Sequence, residues 1–360
     1  MYTILNAAER KKITVLKTIP VLGIILMTMV LPAAGQEDLH VSAVDSIRFS
    51  FEQFSVVGNL YLPQSEGKHP VAVWVHGDGP DRRTNRFPGT AFFNTLLDHG
   101  FAFFRYDKPG SGDSQGSFTD SLLFQERAGI VNAAVGVLKN RTEIDPARIG
   151  MAGSSQAGYV MPLVLTMRSD LAFMIGLSLP AMDGNEQWVY LLKKQLICEG
   201  YSKEKAEEFS RMHLKMIRSG SYEEFMQAIH YFEYNPVQLS SIKGYDEHFA
   251  ERIRNWWPLN WTKVQSFNPM GIIARMTIPV LAVYGENDTQ VDPRQGAEAY
   301  RRSLEAAGNL LYEVVLLPDA NHNMAYSKTG CLIEQQEQKR SHMVDGLTAI
   351  LAAWLDRLNQ

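Results

Sequence analysis

The sequence predicts an α/β fold with a mostly parallel central sheet and helices on both faces. Short apolar segments and longer helical segments alternate from residue 71 to residue 178, and the alternation resumes from 279 to 358. This alternation is typical of parallel strands joined by helical crossovers. Residues 181–268 break it, because they contain no clear strand and are rich in Glu, Lys, Tyr and Met.

The strands are short runs rich in Val, Ile, Phe and Leu, and the helices are longer segments between them. Residues 36–62 are expected to form an antiparallel hairpin or meander that leads into the sheet. The elements that follow are strand 71–76, helix 89–99, strand 101–106, helix 124–140, strand 148–153, helix 156–168, strand 172–178, strand 279–284, helix 293–307, strand 311–317 and helix 335–358. The predicted domains are therefore a core in two parts, residues 36–180 and 269–360, with an insertion at 181–268.

The N-terminal segment is typical of a secretory signal peptide. Four basic residues between positions 10 and 17 precede an apolar run at 21–31, which is too short to span a bilayer comfortably. Small residues at 32–35 suit a signal peptidase. We expect cleavage after Gly35 and a periplasmic or secreted mature protein, without stable membrane insertion. The alternative is an N-terminal anchor that is not cleaved.

Ser155 is the candidate nucleophile. It lies between the strand at 148–153 and the helix at 156–168, with Gly153 and Ala157 two residues away on either side. Small residues at these two positions allow the sharp turn of a nucleophile elbow, which presents a strained serine at the sheet edge. Ser154 is out of register with the small residues and is the weaker candidate. The structural alternative is a serine that caps the helix.

A serine nucleophile needs a base and an acid that orients the base, which follow it in the order acid, then histidine. Asp288 follows the strand at 279–284, and His322 follows the strand at 311–317. Both therefore lie in loops at the sheet edge that carries Ser155. Asp288 is preferred because three residues separate it from the next helix, which begins near Pro293. The rival acids are Glu286, Asp292 and Asp319.

The oxyanion formed during acyl transfer needs backbone N–H donors. One is expected from Gln156, the residue after the nucleophile. The other is expected from the glycine-rich loop after strand 71–76, with the N–H of Asp78 preferred over that of Gly79. His76 precedes Ser155 in the chain and ends a strand, so we interpret it as a structural brace for this loop.

These residues resemble the α/β-hydrolase superfamily. The similarity rests on HGDGP at 76–80, RYDKPGSGDS at 105–114 and GSSQAG at 153–158, followed by Asp288 and His322. It covers about residues 55–180 and 270–358, and is greatest to bacterial esterases and serine-peptidase-like hydrolases. Ala157 stands where the family usually has glycine. The resemblance implies a helical cap at 181–268 over the nucleophile.

The composition excludes several other classes of function. A net charge of −4 and a pI near 6.2 give no indication of a nucleic acid or an anionic membrane as partner. No Cys/His cluster has metal-ligand spacing and no loop has a phosphate-binding pattern, so neither metal nor cofactor is expected. Cys198 and Cys331 are interpreted as two free, partly buried thiols, with a disulfide as the alternative.

The leading functional hypothesis is a serine hydrolase that cleaves carboxylic esters. A peptidase that releases short N-terminal pieces is the alternative and would need an acidic side chain for the free amine, for which the insertion offers Glu186, Glu199 and Glu233. An acyl-transferase and a non-catalytic binding protein are further alternatives. The expected partner is a small ester or short peptide, and the oligomeric state is not predicted. Three tryptophans are expected to anchor the cap or line its pocket: Trp256, Trp257 and Trp261.

Overall fold

Eight strands form one mixed sheet in the order β1-β2-β4-β3-β5-β6-β7-β8. The computed structural model describes residues 38–85, 87–116, 124–254, 267–338 and 342–360. The strands are β1 (Ala43–Phe51), β2 (Phe54–Leu62), β3 (His69–Val75), β4 (Ala102–Tyr106), β5 (Ile144–Ser154), β6 (Met174–Leu177), β7 (Val280–Gly285) and β8 (Tyr312–Leu317). The predicted signal peptide at 1–35 and the three insertion tryptophans lie outside the described residues.

The sheet is parallel except at one edge. β1 pairs antiparallel with β2, as the predicted hairpin requires, and β2 pairs antiparallel with β4. All pairings from β4 to β8 are parallel, so the carboxyl ends of these strands lie at one edge of the sheet. Strand β5 begins four residues earlier than predicted because Ile144 pairs with His69 before an irregularity in the register. The predicted α/β fold is confirmed.

Helices cover both faces of the sheet. The described helices are α1 (Thr90–Asp98), α2 (Phe124–Leu138), α3 (Ala157–Met167), α4 (Gly184–Cys198), α5 (Lys203–Ile217), α6 (Tyr222–Tyr234), α7 (Phe249–Ile253), α8 (Met270–Ile273), α9 (Pro293–Ala306), α10 (Leu332–Glu337) and α11 (Gly346–Leu358). Buried side chains of α2, α3 and α9 pack on one face, and those of α1 and α11 pack on the other. These two apolar layers hold the strand ends in fixed positions.

The predicted C-terminal helix at 335–358 is wrong in its first half. The structure has two helices, α10 and α11, with a separate segment between them. In that segment the carbonyl of His342 accepts from the N–H of Tyr326, and the N–H of Val344 donates to the carbonyl of Met324. The residues around 343 therefore pair with the loop after β8 instead of continuing a helix.

Helices α4 to α7 lie in the insertion and have a hydrophobic cluster of their own. Phe209, Phe232 and Phe249 are at its centre, and their ring centroids are 4.8 to 6.2 Å apart. Asp183 is the N-cap residue of α4, and its side chain accepts a hydrogen bond from the N–H of Asn185. Within the described residues, no helix is both long and apolar enough to span a bilayer.

The interpretation of the two cysteines as free thiols is wrong. Cys198 and Cys331 form a disulfide with an S–S distance of 2.06 Å and a Cα–Cα distance of 5.7 Å. Cys198 ends α4 and Cys331 precedes α10. The two segments meet because the side chain of Gln195 accepts a hydrogen bond from the N–H of Leu332 at 3.0 Å. A tertiary contact between distant segments therefore brings the sulfurs within bonding range.

Candidate active site

Ser155 occupies a sharp turn between β5 and α3. Its φ of 55° lies in the left-handed region, which is strained for a serine. The turn is held by hydrogen bonds from the N–H of Ser155 to the carbonyl of Leu177 (3.0 Å) and from the N–H of Gly158 to the carbonyl of Ser155 (2.9 Å). Ser155 is partly exposed, whereas Ser154 is buried. The geometry favours Ser155 as the residue that presents its hydroxyl to a substrate.

Gly153 is required for this turn. A Cβ atom at this position would lie 2.6 Å from the carbonyl oxygen of Val75 and 2.7 Å from the Cβ of Ala157. These distances are shorter than van der Waals contact, so the strand and the helix could not approach as closely with a side chain here. Ala157 itself is fully buried. The small residues on both sides of Ser155 therefore have the steric role expected of them.

Asp288 and His322 form a hydrogen-bonded pair. The Nδ1 atom of His322 lies 2.8 Å from Oδ2 of Asp288, and both side chains are almost completely buried. The other carboxylate oxygen accepts from the N–H groups of Gln290 (2.7 Å) and Val291 (2.9 Å). Because the carboxylate has its partners on both oxygens, it fixes the imidazole with Nδ1 as donor. Nε2 is then the nitrogen able to accept a proton.

The loop that carries His322 is held from two sides. The hydroxyl of Ser178 donates to the carbonyl of His322 at 3.2 Å. The loop also lies directly against the end of β7, since a Cβ on Gly285 would lie 2.4 Å from the carbonyl oxygen of Asn321. The side chain of Asn321 closes the loop by accepting from the N–H groups of Asn323 and Ala325. These contacts determine where the imidazole lies.

Two of the rival acids have other roles. The carboxylate of Glu286 pairs with Arg294 at 2.5 Å on the surface. Asp292 caps α9, since its side chain accepts from the N–H groups of Arg294 and Gln295. Asp288 is the acid that the structure places against His322.

The glycine-rich loop after β3 lies beside Ser155. A Cβ on Gly77 would lie 3.2 Å from the Cβ of Ser155 and 3.3 Å from the carbonyl oxygen of Ser154. Gly79 has a φ of 72°, and apart from its chain neighbours no atom of the described residues lies within 4 Å of where its Cβ would be. Gln156 immediately precedes α3 with helical backbone angles. The structure thus brings the loop of Asp78 and the first turn of α3 to the same serine.

His76, at the start of this loop, is fixed by hydrogen bonds to both of its ring nitrogens. It is fully buried, with Nδ1 2.7 Å from Oδ2 of Asp81 and Nε2 2.6 Å from the carbonyl oxygen of Tyr106. Burial lowers the pKa of His76, although the hydrogen bond with Asp81 opposes this effect. Since both ring nitrogens have partners within the fold, the geometry matches a structural brace.

Two cations that the sequence interpretation did not single out hold the same loop. The Nζ atom of Lys108 donates to the carbonyls of Gly77 (2.6 Å) and Gly79 (2.5 Å). Arg127 donates to the carbonyls of His76 (2.5 Å) and Gly77 (2.9 Å), and to the side-chain oxygen of Gln156 (2.7 Å). Burial, together with the charge of Arg127, lowers the pKa of Lys108 to about 7. Lys108 follows β4 in the segment 105–114, whose resemblance to the family gave this lysine no role, and Arg127 lies in α2 outside the quoted motifs.

The insertion contacts the loop of Asp288 directly through α4. The hydroxyl of Tyr190 donates to the carbonyl of Asp288 at 3.1 Å, and the side-chain amide of Gln195 donates to the hydroxyl of Thr289 at 2.9 Å. The amide of Gln187 donates to the carbonyl of Gln290. Helix α4 therefore contacts three successive residues of the acid loop, Asp288, Thr289 and Gln290.

The three glutamates suggested for binding a free amine have partners within the insertion. Glu186 pairs with Arg218 at 2.9 Å, and Glu233 pairs with Arg254. Glu199 accepts hydrogen bonds from the backbone and hydroxyl groups of Ser240 and Ser241. In the part of the chain that the structure describes, no group of three or more His, Cys, Asp or Glu side chains is placed to hold a metal ion.

Comparison with known protein families identifies one whose model this chain matches. A model of the X-Pro dipeptidyl-peptidase (S15) family matches residues 54–322. Dipeptidyl peptidase 8 of Mus musculus is 31% identical over an alignment of 137 residues, and the match covers 34% of this chain. Those residues match only 15% of the length of the mouse protein.

Two solved structures extend the comparison to nearly the whole fold. Est1E from Butyrivibrio proteoclasticus, solved with ferulic acid bound, has a TM-score of 0.53 and 18% identity, and the match covers 87% of this chain and 99% of that chain. The Pyrococcus furiosus esterase Pf2001 has a TM-score of 0.52 and 14% identity, covering 88% and 91% of the two chains. At these identities the likeness establishes the fold, which is that of the α/β-hydrolases.

Proposed function

The chain belongs to the X-Pro dipeptidyl-peptidase (S15) family of α/β-hydrolases and is a serine hydrolase, and we propose that it cleaves carboxylic esters through an acyl-enzyme on Ser155. The observation that carries the proposal is the 2.8 Å contact between His322 and Asp288, at the sheet edge where the strained turn presents Ser155. Nucleophile, base and orienting acid then have the roles that acyl transfer requires.

In the first half of the reaction, the hydroxyl oxygen of Ser155 attacks the ester carbonyl while Nε2 of His322 takes the hydroxyl proton. The negative charge that develops on the carbonyl oxygen is stabilised by the N–H groups of Asp78 and Gln156. The tetrahedral intermediate collapses, and His322 gives its proton to the departing alcohol. The carboxylate of Asp288 stabilises the imidazolium during both proton transfers.

In the second half, water replaces the alcohol. His322 takes a proton from this water, whose oxygen attacks the acyl carbon and forms a second tetrahedral intermediate. When that intermediate breaks down, the proton returns to the oxygen of Ser155 and the carboxylic acid leaves. The serine and the histidine are restored, so the cycle consumes one water for each ester.

Support for an ester over a peptide comes from the insertion. The carboxylates of Glu186, Glu199 and Glu233 are all held by arginines or serines of the insertion itself. A dipeptidyl peptidase needs an acidic group for the free amine of its substrate, and these three have other partners. The family match keeps peptidase activity as the second candidate function.

The test compares two substrate classes and two serine variants. The mature protein, its Ser155→Ala variant and its Ser154→Ala variant are assayed with nitrophenyl esters of increasing acyl length and with Xaa-Pro nitroanilides. We expect ester turnover that falls by a factor on the order of 10⁶ in Ser155→Ala. Ser154→Ala is the matched control and is expected to keep most of the activity. Comparable turnover of the anilides would favour the peptidase, and turnover that survives in Ser155→Ala would reject this nucleophile.

We also propose that the mature protein works in the periplasm or outside the cell. The N-terminal pattern at residues 1–35 is that of a signal peptide. The disulfide between Cys198 and Cys331 supports the same location, because disulfides persist in oxidising compartments. N-terminal sequencing of protein from the culture medium and the periplasmic fraction tests cleavage after Gly35.

A further inference from the structure

Lys108 and Arg127 converge on one carbonyl group in the loop after β3. The carbonyl oxygen of Gly77 accepts from Nζ of Lys108 at 2.6 Å and from a guanidinium nitrogen of Arg127 at 2.9 Å. Lys108 comes from the segment after β4 and is 5% exposed, and Arg127 comes from α2. Two basic side chains from separate elements thus meet at one peptide unit beside Ser155.

The direction of that carbonyl determines the direction of a neighbouring N–H. The carbonyl of Gly77 and the N–H of Asp78 belong to the same planar trans peptide, in which the two bonds point in opposite directions. When Lys108 and Arg127 hold the carbonyl on one side, the N–H of Asp78 is directed to the other side. This N–H is the donor assigned to the oxyanion in the proposed function.

We propose that Lys108 and Arg127 are positioning residues that orient and polarise the Gly77–Asp78 peptide as an oxyanion donor. The inference deepens the proposed acyl transfer at Ser155 and rests on it. A positive charge at the carbonyl end of a peptide, supplied by Arg127 and by Lys108 while it is protonated, withdraws electron density from the N–H. This strengthens the hydrogen bond from that N–H to a developing negative charge. Arg127 also holds the side chain of Gln156, so one guanidinium connects the residues of both expected donors.

Lys108 holds a second carbonyl of this loop, which belongs to a peptide without an N–H donor. Lys108 also donates to the carbonyl of Gly79 at 2.5 Å. The next residue is Pro80, which has no N–H, so orienting the Gly79 carbonyl provides no donor. Lys108 therefore holds the carbonyls of two peptides, and of these only the one between Gly77 and Asp78 has an N–H that can donate a hydrogen bond to an oxyanion.

The test separates positioning from folding by comparing a substrate with a tetrahedral analogue. Lys108→Met and Arg127→Met are assayed with a nitrophenyl ester and with a boronic acid, which forms a tetrahedral adduct on a serine. Removing a whole oxyanion donor costs about 10²–10³ in kcat, so disturbing its orientation is expected to cost about 10–100-fold. KM is expected to stay within about twofold. The boronate inhibition constant is expected to rise by the same factor as kcat falls.

Lys139→Met is the matched control, because Lys139 is a partly exposed lysine that directly follows α2 and pairs with Asp170. It is expected to leave kcat, KM and boronate affinity unchanged. A fall in kcat for Lys108→Met without any loss of boronate affinity would overturn the inference and leave a purely structural role. If Ser155→Ala also kept its activity, the proposed function would fail instead, so the two failures are distinguishable.

A second measurement does not depend on the variants folding. In a crystal structure of the wild-type protein with a boronic acid, an adduct oxygen is expected 2.7–3.1 Å from the backbone nitrogen of Asp78. Lys108 and Arg127 are expected to remain on the carbonyl of Gly77. An adduct oxygen bound by other donors, or a Gly77 carbonyl turned away from both cations, would show that the inference is wrong.

Discussion

The disulfide between Cys198 and Cys331 joins the last residue of α4 to the residue before α10. Helix α4 also reaches the acid loop through the hydrogen bonds of Tyr190 and Gln195. The insertion is therefore attached, covalently and by hydrogen bonds, to the segments that carry Asp288 and His322. This attachment relates the stability of the insertion to the geometry of the Asp288–His322 pair.

Removal of the disulfide is expected to destabilise the protein. The cross-link closes a segment of 133 residues, and disulfides of this kind contribute about 2–4 kcal/mol to the free energy of unfolding. The double variant Cys198→Ser and Cys331→Ser should unfold at lower urea concentration, which circular dichroism measures. Wild-type protein treated with a reductant is the control and should match the variant. An unchanged unfolding midpoint in both would contradict the prediction.

Replacement of Asp288 by asparagine is expected to lower kcat by about 10⁴, with little change in KM. The amide can still accept the N–H groups of Gln290 and Val291, but it no longer holds His322 in the required tautomer. Steady-state ester hydrolysis measures the effect. Asp292→Asn is the control, because asparagine caps a helix about as well as aspartate does. Equal losses in the two variants would argue against Asp288 as the orienting acid.

Replacement of Gly285 by alanine is expected to displace the loop of His322. The added Cβ would lie 2.4 and 2.5 Å from the carbonyl oxygens of Asn321 and Ala320, so the backbone must move. We expect a loss of about 1–3 kcal/mol in stability, typical of overpacking, together with a lower kcat. Urea unfolding and ester kinetics measure the two effects.

Gly136→Ala is the control for this substitution. Gly136 lies inside α2. Apart from its chain neighbours and the backbone of the helix itself, no atom of the described residues lies within 4 Å of where its Cβ would be. Alanine is favoured over glycine in a helix by about 0.5–1 kcal/mol, so this variant should be as stable as wild type or more so. If Gly285→Ala behaved in the same way, the close approach of β7 to the His322 loop would be wrong.

The elbow could be predicted from the sequence because its determinants are local. A strand, a turn with Gly153 and Ala157 and then a helix lie within a few residues of Ser155, and the steric requirement is visible in the residue types. The positions of Asp288 and His322 were predictable for a related reason. Parallel strands end at the same sheet edge, so residues that follow different strands can be expected to meet there.

The remaining features depend on contacts between distant segments. The disulfide could not be assigned, because nothing near Cys198 indicates that residue 331 folds against it. The prediction of one long C-terminal helix was wrong because the segment before α11 pairs with residues 324–326. Helical periodicity in the sequence does not reveal this pairing. Lys108 and Arg127 were missed because they bind backbone carbonyls 31 and 50 positions away, and those carbonyls have no signature in the sequence.

The burial of Lys108 predicts a specific dependence of stability on pH. Burial and the charge of Arg127 lower its pKa from 10.5 to about 7, although the carboxylates of Asp78 and Asp81 oppose the shift. With these pKa values, the folded protein loses this proton near pH 7 and the unfolded chain loses it near pH 10.5. The unfolded state then binds more protons, so this residue makes the free energy of unfolding increase as pH rises.

The comparison of wild type with Lys108→Met isolates this effect. Urea unfolding at pH 7.5 and pH 9.5 should show wild type gaining stability relative to the variant, by at most about 1.4 kcal/mol per pH unit. Lys139→Met is the control and should change with pH as wild type does, because Lys139 lies in a partly exposed surface pair. If wild type instead lost stability relative to Lys108→Met as pH rose, the ammonium would be stabilised by its two carbonyl contacts. Lys108 would then bind the loop of Gly77 as a permanent charge over this pH range.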